Sequence, residues 1–360
     1  MLSSIAKPLG ALALALALIS LVLLGLGASP IGVFVALGEG AFGNWNACVD
    51  TLVKATPLIF TGLAVSIAFS GALWNIGGDG QLTIGAIAAG AIGPWLGELP
   101  HPLAIAIILG AGALGGALWG GLGGWLRARR DVNEVISTIM LNFVAVQALS
   151  WVVHGPLMEA SRAYPTSTPI APAAQLEFYF SPSRLNFGMI LAAVLAALCY
   201  LLLFHTGVGF ELRAMGRNRR AARFFGIPIP RLTIWVMTLS GALAGLGGAV
   251  QVSAISHRLY EKLSPGWGYE AIAVALVARL NPLGIVLAAL FFGALDNGSQ
   301  AMQRAQNVSP VLVQVIQGLV ILIILAFDTP LWSGLGDRMF DAPQSSTDKI
   351  PPAANESANA

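Results

Sequence analysis

Residues 75–81 read Asn75-Ile76-Gly77-Gly78-Asp79-Gly80-Gln81, and apolar sequence of helix length lies on both sides of them. A carboxylate, two carboxamides and three glycines are costly in such a setting unless the protein meets their hydrogen bonds itself. The surrounding chain is poor in charge. Of its 360 residues 56% are hydrophobic and 10% charged, with a net charge of +2 and a mean hydropathy of +0.77. A soluble domain carries about 25% charged residues. Too little polar surface exists to cover a water-soluble globule, so the fold class is an all-α polytopic membrane protein. In that fold residues 75–81 are a polar interruption at membrane depth.

Outward from this stretch, apolar segments of spanning character lie at about 9–28, 51–73, 80–98, 103–126 and 135–154. A second set lies at about 186–206, 232–254, 268–280, 283–302 and 310–327. These make ten transmembrane segments, with 268–280 short enough for a half-helix or re-entrant segment and 80–98 interrupted by glycines. The first run follows Lys7 and is longer than a signal-peptide core, so residues 1–30 are expected to be an uncleaved first transmembrane helix. Residues 31–340 form the main transmembrane domain. The final stretch, 341–360, is rich in Pro, Ser, Ala and Asn and reads as a disordered tail.

Charge placement orients this scheme. With both termini cytoplasmic, thirteen of the 19 Lys and Arg residues fall inside and five outside, Lys54 lying within a span. The loop at about 155–185, with five prolines, is then an ordered or semi-rigid outer loop, and the basic loop at about 207–231 lies inside. An internal likeness supports two five-segment halves of inverted topology. Residues 70–81 (SGALWNIGGDGQ) and 240–251 (SGALAGLGGAVQ) agree at seven of twelve positions. Asn75 and Asp79 have no counterpart in the second copy.

Enzyme signatures are missing. No lysine follows a glycine in a phosphate loop, the four histidines are scattered, and no HExxH or GxSxG occurs. Cys48 and Cys199 match neither a metal spacing nor a disulfide framework. No basic face suited to nucleic acid accompanies a soluble fold. Neither a catalytic set nor a metal set emerges, which leaves a channel, a transporter subunit or a membrane scaffold in contact with lipid.

Two further motifs carry information. Residues 131–142 read DVNEVISTIMLN, and on a helix Glu134, Thr138 and Asn142 share one stripe at spacing four. Such a stripe either bonds neighbouring helices or lines an aqueous path. Residues 211–226 read ELRAMGRNRRAARFFG. Ala214, Met215, Ala221, Ala222, Phe224 and Phe225 could form one apolar side of a short amphipathic helix, with Gly216 and Gly226 allowing turns. Its physics fits a basic membrane-surface helix and a docking helix for a cytoplasmic partner equally.

Together NIGGDGQ, DVNEVISTIMLN and ELRAMGRNRRAARFFGI resemble the permease family of bacterial ABC importers, over roughly residues 50–330. The branch handling nucleosides and simple sugars, related to the ribose and branched-chain amino-acid permeases, typically reads NIGxEGQ, NEVIxTLMLN and RAxGxNxxAAxxxGI. This chain departs from it at Asp79, where Glu is usual, and at Arg219, where Pro is common. The resemblance implies a multi-pass protein of the bacterial inner membrane that moves a nucleoside or simple sugar. It implies a second permease subunit, identical or homologous, cytoplasmic ATP-binding subunits that hold ATP and Mg, and an outer solute-binding protein. No cofactor is bound by this chain itself. The family's coupling helix maps onto Glu211, Arg213, Gly216, Arg217, Asn218, Ala221, Ala222 and Gly226. Asn75, Asp79, Gln81, Glu134, Thr138 and Asn142 are the candidates for the substrate pathway, Asp79 chiefly as an acceptor for backbone N–H groups at the helix break. The competing reading is an ion- or proton-coupled secondary transporter with Asp79, Glu134, Glu270 or Asp296 in a proton relay.

Overall fold

The computed structural model describes residues 17–25, 27–176, 185–306, 309, 311–315 and 317–319. Among them the chain is helical, with two isolated β-bridges and no strand. The central element is α3 (Trp45–Ser70), in which every residue from Ala55 to Ala68 is buried. A helix apolar on all sides belongs inside a bundle. Against it pack α7 (Phe187–His205), α10 (Ile229–Gln251) and α12 (Pro282–Gln306), while α5 (His101–Arg130) packs on α10 and α6 (Glu134–His154) packs on α5. These six helices are long and apolar enough to cross a membrane, α10 together with the π-helical turn at residues 252–256 that continues it. Lipid-facing surface is marked by exposed Leu114, Leu118 and Leu122 on α5, Phe143 and Trp151 on α6 and Leu287 on α12.

Two expected spans are short. The 80–98 segment is the 15-residue α4 (Gly78–Ile92) followed by a 3-10 turn, and the 268–280 segment is the 11-residue α11 (Trp267–Val277). At 1.5 Å per residue neither crosses about 30 Å of hydrocarbon. The described part of the 9–28 segment is α1 (Ala17–Gly25), bent by 112° against α2 (Pro30–Phe42). Gly27 at φ 75° and Pro30 at the first helical position account for that corner. The spacing of apolar segments does not anticipate α2. Most of 310–327, the start of the first helix and the tail at 341–360 lie outside the described residues.

Small residues set the closest packing. A Cβ placed on Gly116 would strike the Gly241 carbonyl oxygen, so α5 and α10 meet backbone to backbone along a glycine seam. The two copies of the repeat differ locally. Residues 240–251 run through continuous α10, whereas 70–81 hold the end of α3, an open turn and the start of α4. The described part of the 155–185 loop is ordered. Its Ser167, Ile170 and Leu176 N–H groups donate to the carbonyls of Leu259, His257 and Ser253, and Glu159 pairs with Arg258 at 3.2 Å.

The helix ends fall into two groups. Gly216 packs on Ser70 at the C-terminal end of α3, and Arg127 near the end of α5 pairs with Glu134 at the start of α6. Both arginine clusters therefore occupy one end of the bundle. The N-terminal end of α3 and the 155–176 loop occupy the other.

Candidate functional site

Helix α3 stops at Ser70 because the chain turns through Ala72, at φ 52°, and does not regain helix until Gly78. At membrane depth every freed backbone group needs a partner. Asn75 and Gln81 form a reciprocal carboxamide pair, Asn75 Nδ2 to Gln81 Oε1 at 3.1 Å and Gln81 Nε2 to Asn75 Oδ1 at 3.0 Å. Asn75 Oδ1 also accepts from the Gly77 N–H, and Asn75 Nδ2 donates to Ser240 Oγ at 2.8 Å, which donates on to the Ala64 carbonyl. The α6 stripe supplies the rest. Thr138 Oγ1 accepts from Ile76 N, while Asn142 accepts from Gly80 N at 2.8 Å and donates to the Ile76 carbonyl at 2.9 Å.

Asp79 faces a different neighbour. Its Oδ1 accepts from Ser264 Oγ at 2.6 Å and from the Gly268 N–H at 3.2 Å. Ser264 Oγ in turn accepts from the N–H groups of Gly266 and Trp267, at the start of α11. The two short helices thus begin at one place, so closely that a Cβ on Gly268 would hit the Asp79 backbone. Two helix N-termini concentrate positive partial charge, and one carboxylate set between them is the matching group.

All six residues expected along a substrate path are buried, Glu134 and Asp79 at 8% and 6% exposure being the least so. Asn75, Gln81, Thr138 and Asn142 bond the break and one another, and Asn142 joins it to α11, since Tyr269 Oη accepts from Asn142 Nδ2, while Asp79 reaches α11 separately through Ser264 and Gly268. Glu134 is drawn away, its carboxylate 3.0 Å from Arg127 Nε. Their polar atoms bond one another and the broken backbone. Sequence reasoning missed Ser240, Ser264, Gly268 and Tyr269. Only Ser240 left a trace, as the counterpart of Ser70 in the second copy.

The second candidate surface is the basic loop. It forms two helices, α8 (Gly207–Arg217) and α9 (Arg219–Phe224). Asn218 divides them, its side chain accepting from the N–H groups of Arg220 and Ala221 to cap α9. The expected single apolar side is thereby split. Met215 and Ala222 face inward with Leu212, whereas Phe224 and Phe225 are 88% and 79% exposed. Gly216 also faces inward, where a Cβ would meet the Ser70 carbonyl, so its small size seats α8 on α3. Arg217, Asn218, Arg220, Arg223 and Gly226 are exposed, while Glu211, Arg213 and Ala221 are half-buried. Arg213 lies over the Phe204 ring at 5.1 Å. Burial and then the Arg127 guanidinium pull Arg219 below the usual arginine range, with Glu134 opposing them. The basic loop and the start of the α6 stripe therefore share an electrostatic field.

The family pattern described as branched-chain amino acid transport system / permease component matches residues 47–325. The chain is 34% identical over 331 residues to the guanosine ABC transporter permease protein NupP of Bacillus subtilis, covering 90% of this chain and 93% of that protein. It is 32% identical over 324 residues to the glucose ABC transporter permease protein TsgB13 of Haloferax volcanii, covering 86% and 84%. It is 31% identical over 333 residues to the nucleoside ABC transporter permease protein NupB of Lactococcus lactis, covering 88% and 89%. No solved structure matches the chain.

Proposed function

The chain belongs to the branched-chain amino acid transport permease family, and from that premise we propose that it is the membrane subunit through which an ATP-driven importer moves a nucleoside or simple sugar. ATP is hydrolysed on separate cytoplasmic subunits, consistent with the absence of a phosphate loop from the sequence. An outer solute-binding protein delivers the cargo. The nucleoside and sugar transporters among the relatives favour an uncharged, hydroxyl-rich solute.

The observation that carries this reading is the seating of α8 and α9. Two adjacent phenylalanines are exposed at the end of the bundle that carries the arginine clusters, beside exposed Arg220 and Arg223. Aromatic and Arg side chains are the usual anchors of a protein interface. The inner face of the same loop rests on the last turn of α3, immediately before the break at residues 75–81. A partner gripping Phe224 and Phe225 would hold a lever whose other end is that break.

The finer architecture completes the proposal. Ten membrane segments, α4 and α11 among them as half-helices, with both termini in the cytoplasm put α8 and α9 inside, and two five-segment halves, with a second permease chain, enclose the path. Asn75, Asp79, Gln81, Thr138 and Asn142 hold the break and the two half-helices in register beside the path, and Glu134 ties their stripe to the docking end. Co-expression with the candidate ATPase subunit tests the reading. The ATPase should co-purify and Phe224→Ala/Phe225→Ala should release it. Retention by the double variant would contradict the docking assignment.

A further inference from the structure

Two ionisable groups, one on α3 and one on α12, pair away from the helix break, and a third stands at the start of α11. Lys54 Nζ pairs with Asp296 at 2.8 Å and donates to the Asp296 carbonyl at 3.3 Å. Glu270, in the first turn of α11, lies within electrostatic reach of both. At 1.5 Å per residue Lys54 is roughly 14 Å into α3, and Asp296 is about 15 Å from the nearer end of α12. Both are at membrane depth, yet their side chains are 26% and 53% exposed on this chain. Charged groups so placed face a water-filled space or another protein chain, not acyl chains.

This face continues upward. Asp50 and Lys54 are four apart on α3, and Asp296, Gln300 and Arg304 are four apart on α12, so each set forms one stripe. Both stripes open into a polar cleft of about 690 Å³ between α2, α3 and α12, lined in part by Glu39, Trp45, Asn46, Asp50, Gln300 and Arg304. Its floor is built. Asn297 Nδ2 donates to the carbonyls of Gly40 and Ala47 and to Thr51 Oγ1, tying the three helices together. The cleft is at the end of α3 remote from α8, and its Trp45 indole is 63% exposed.

We propose, resting on the importer reading, that this cleft and the stripe below it are the outer mouth and first wall of the solute path. The ligand class is an uncharged ring compound with vicinal hydroxyls. Carboxylates at Glu39, Asp50 and Asp296 accept from hydroxyls. Lys54, Arg304 and the carboxamides of Asn46 and Gln300 donate to ring and hydroxyl oxygens. The Trp45 face accepts an apolar sugar face or a base by stacking. The balanced Lys54–Asp296 pair gives a polar wall without trapping an ion, which suits a neutral cargo that must leave again.

Labelling of the intact transporter in membranes tests the assignment. Cys48 and Cys199 are the chain's two cysteines, so Cys48→Ser/Cys199→Ala gives a silent background. In that background Gln300→Cys should react with a membrane-impermeant maleimide added from outside, while the lipid-facing Leu287→Cys should not. A millimolar excess of a purine nucleoside, a pyrimidine nucleoside, ribose or glucose should slow labelling of Gln300→Cys at least tenfold for one or more of them. Protection by nucleosides alone assigns recognition of the base, and equal protection by free sugars assigns recognition of the hydroxyls. Lys54→Gln and Asp296→Asn should each lower uptake at least tenfold with the ATPase subunits still bound. If those subunits never co-purify with the unaltered chain, the importer reading itself fails. If they do, absence of labelling, labelling indifferent to all four solutes, or full uptake by both charge variants overturns the assignment of the mouth.

Discussion

At Asp79 a single carboxylate joins two helices that begin 189 residues apart in sequence, through Ser264 and the Gly268 N–H. Removing its charge weakens a charge-assisted hydrogen bond and the compensation of two helix N-termini. Asp79→Asn should therefore lower folded yield and thermal stability in detergent by about 1–3 kcal/mol, with uptake falling in parallel. Unchanged stability with altered solute preference would contradict this role. Asn75→Ala leaves Gln81, Ser240 and the Gly77 N–H each short of a partner. The Asn75→Ala/Gln81→Ala double variant should cost clearly less than the sum of the singles, because the two amides act as one unit. Additive melting shifts would contradict the reciprocal pair. The sequence marks the break itself, since Gly, Asn and Asp cannot stand in an apolar run without reason. It does not mark Ser240, Ser264 or Tyr269, which are ordinary residues in their own segments. Only the packing of α10 and α11 on α4 brings them there.

Among the elements, α8 and α9 separate two roles that one motif had combined. Gly216 faces Ser70, and Phe224 and Phe225 are exposed on the chain's surface. Gly216→Leu should lift α8 from α3 and lower bundle stability. Phe224→Ala/Phe225→Ala should leave the melting temperature unchanged and weaken ATPase binding by about a hundredfold, as loss of two interface anchors does. Binding assays set beside melts in detergent distinguish the two, and a loss of stability in the phenylalanine variant would contradict the outward placement. Segment length and hydropathy sufficed to locate α3, α5, α6, α7, α10 and α12, because spanning helices announce themselves by long apolar runs. The same signal overstated α4, whose glycines permit both a helix and its interruption. It did not reveal α2, which is 13 residues long and carries Glu39. The division at Asn218 was legible in principle, Asn being a strong helix cap, but it competed with a continuous amphipathic pattern.

Across the whole molecule, charge and polarity are sorted toward the two ends. Arginine clusters and helices α8 and α9 stand at one end, the ordered 155–176 loop and the polar cleft at the other, and the glycine seam of α5 and α10 holds the bundle between them. Such a body suits alternate opening at either end under the control of a partner at one. If this control comes from ATP hydrolysis on separate subunits, reconstitution will show it. Proteoliposomes holding this chain, its permease partner, the ATPase subunits and the loaded solute-binding protein should accumulate a labelled nucleoside or sugar only when ATP reaches the ATPase side, and an uncoupler should leave the rate unchanged. Accumulation driven by a proton or sodium gradient with ATP absent would contradict the account.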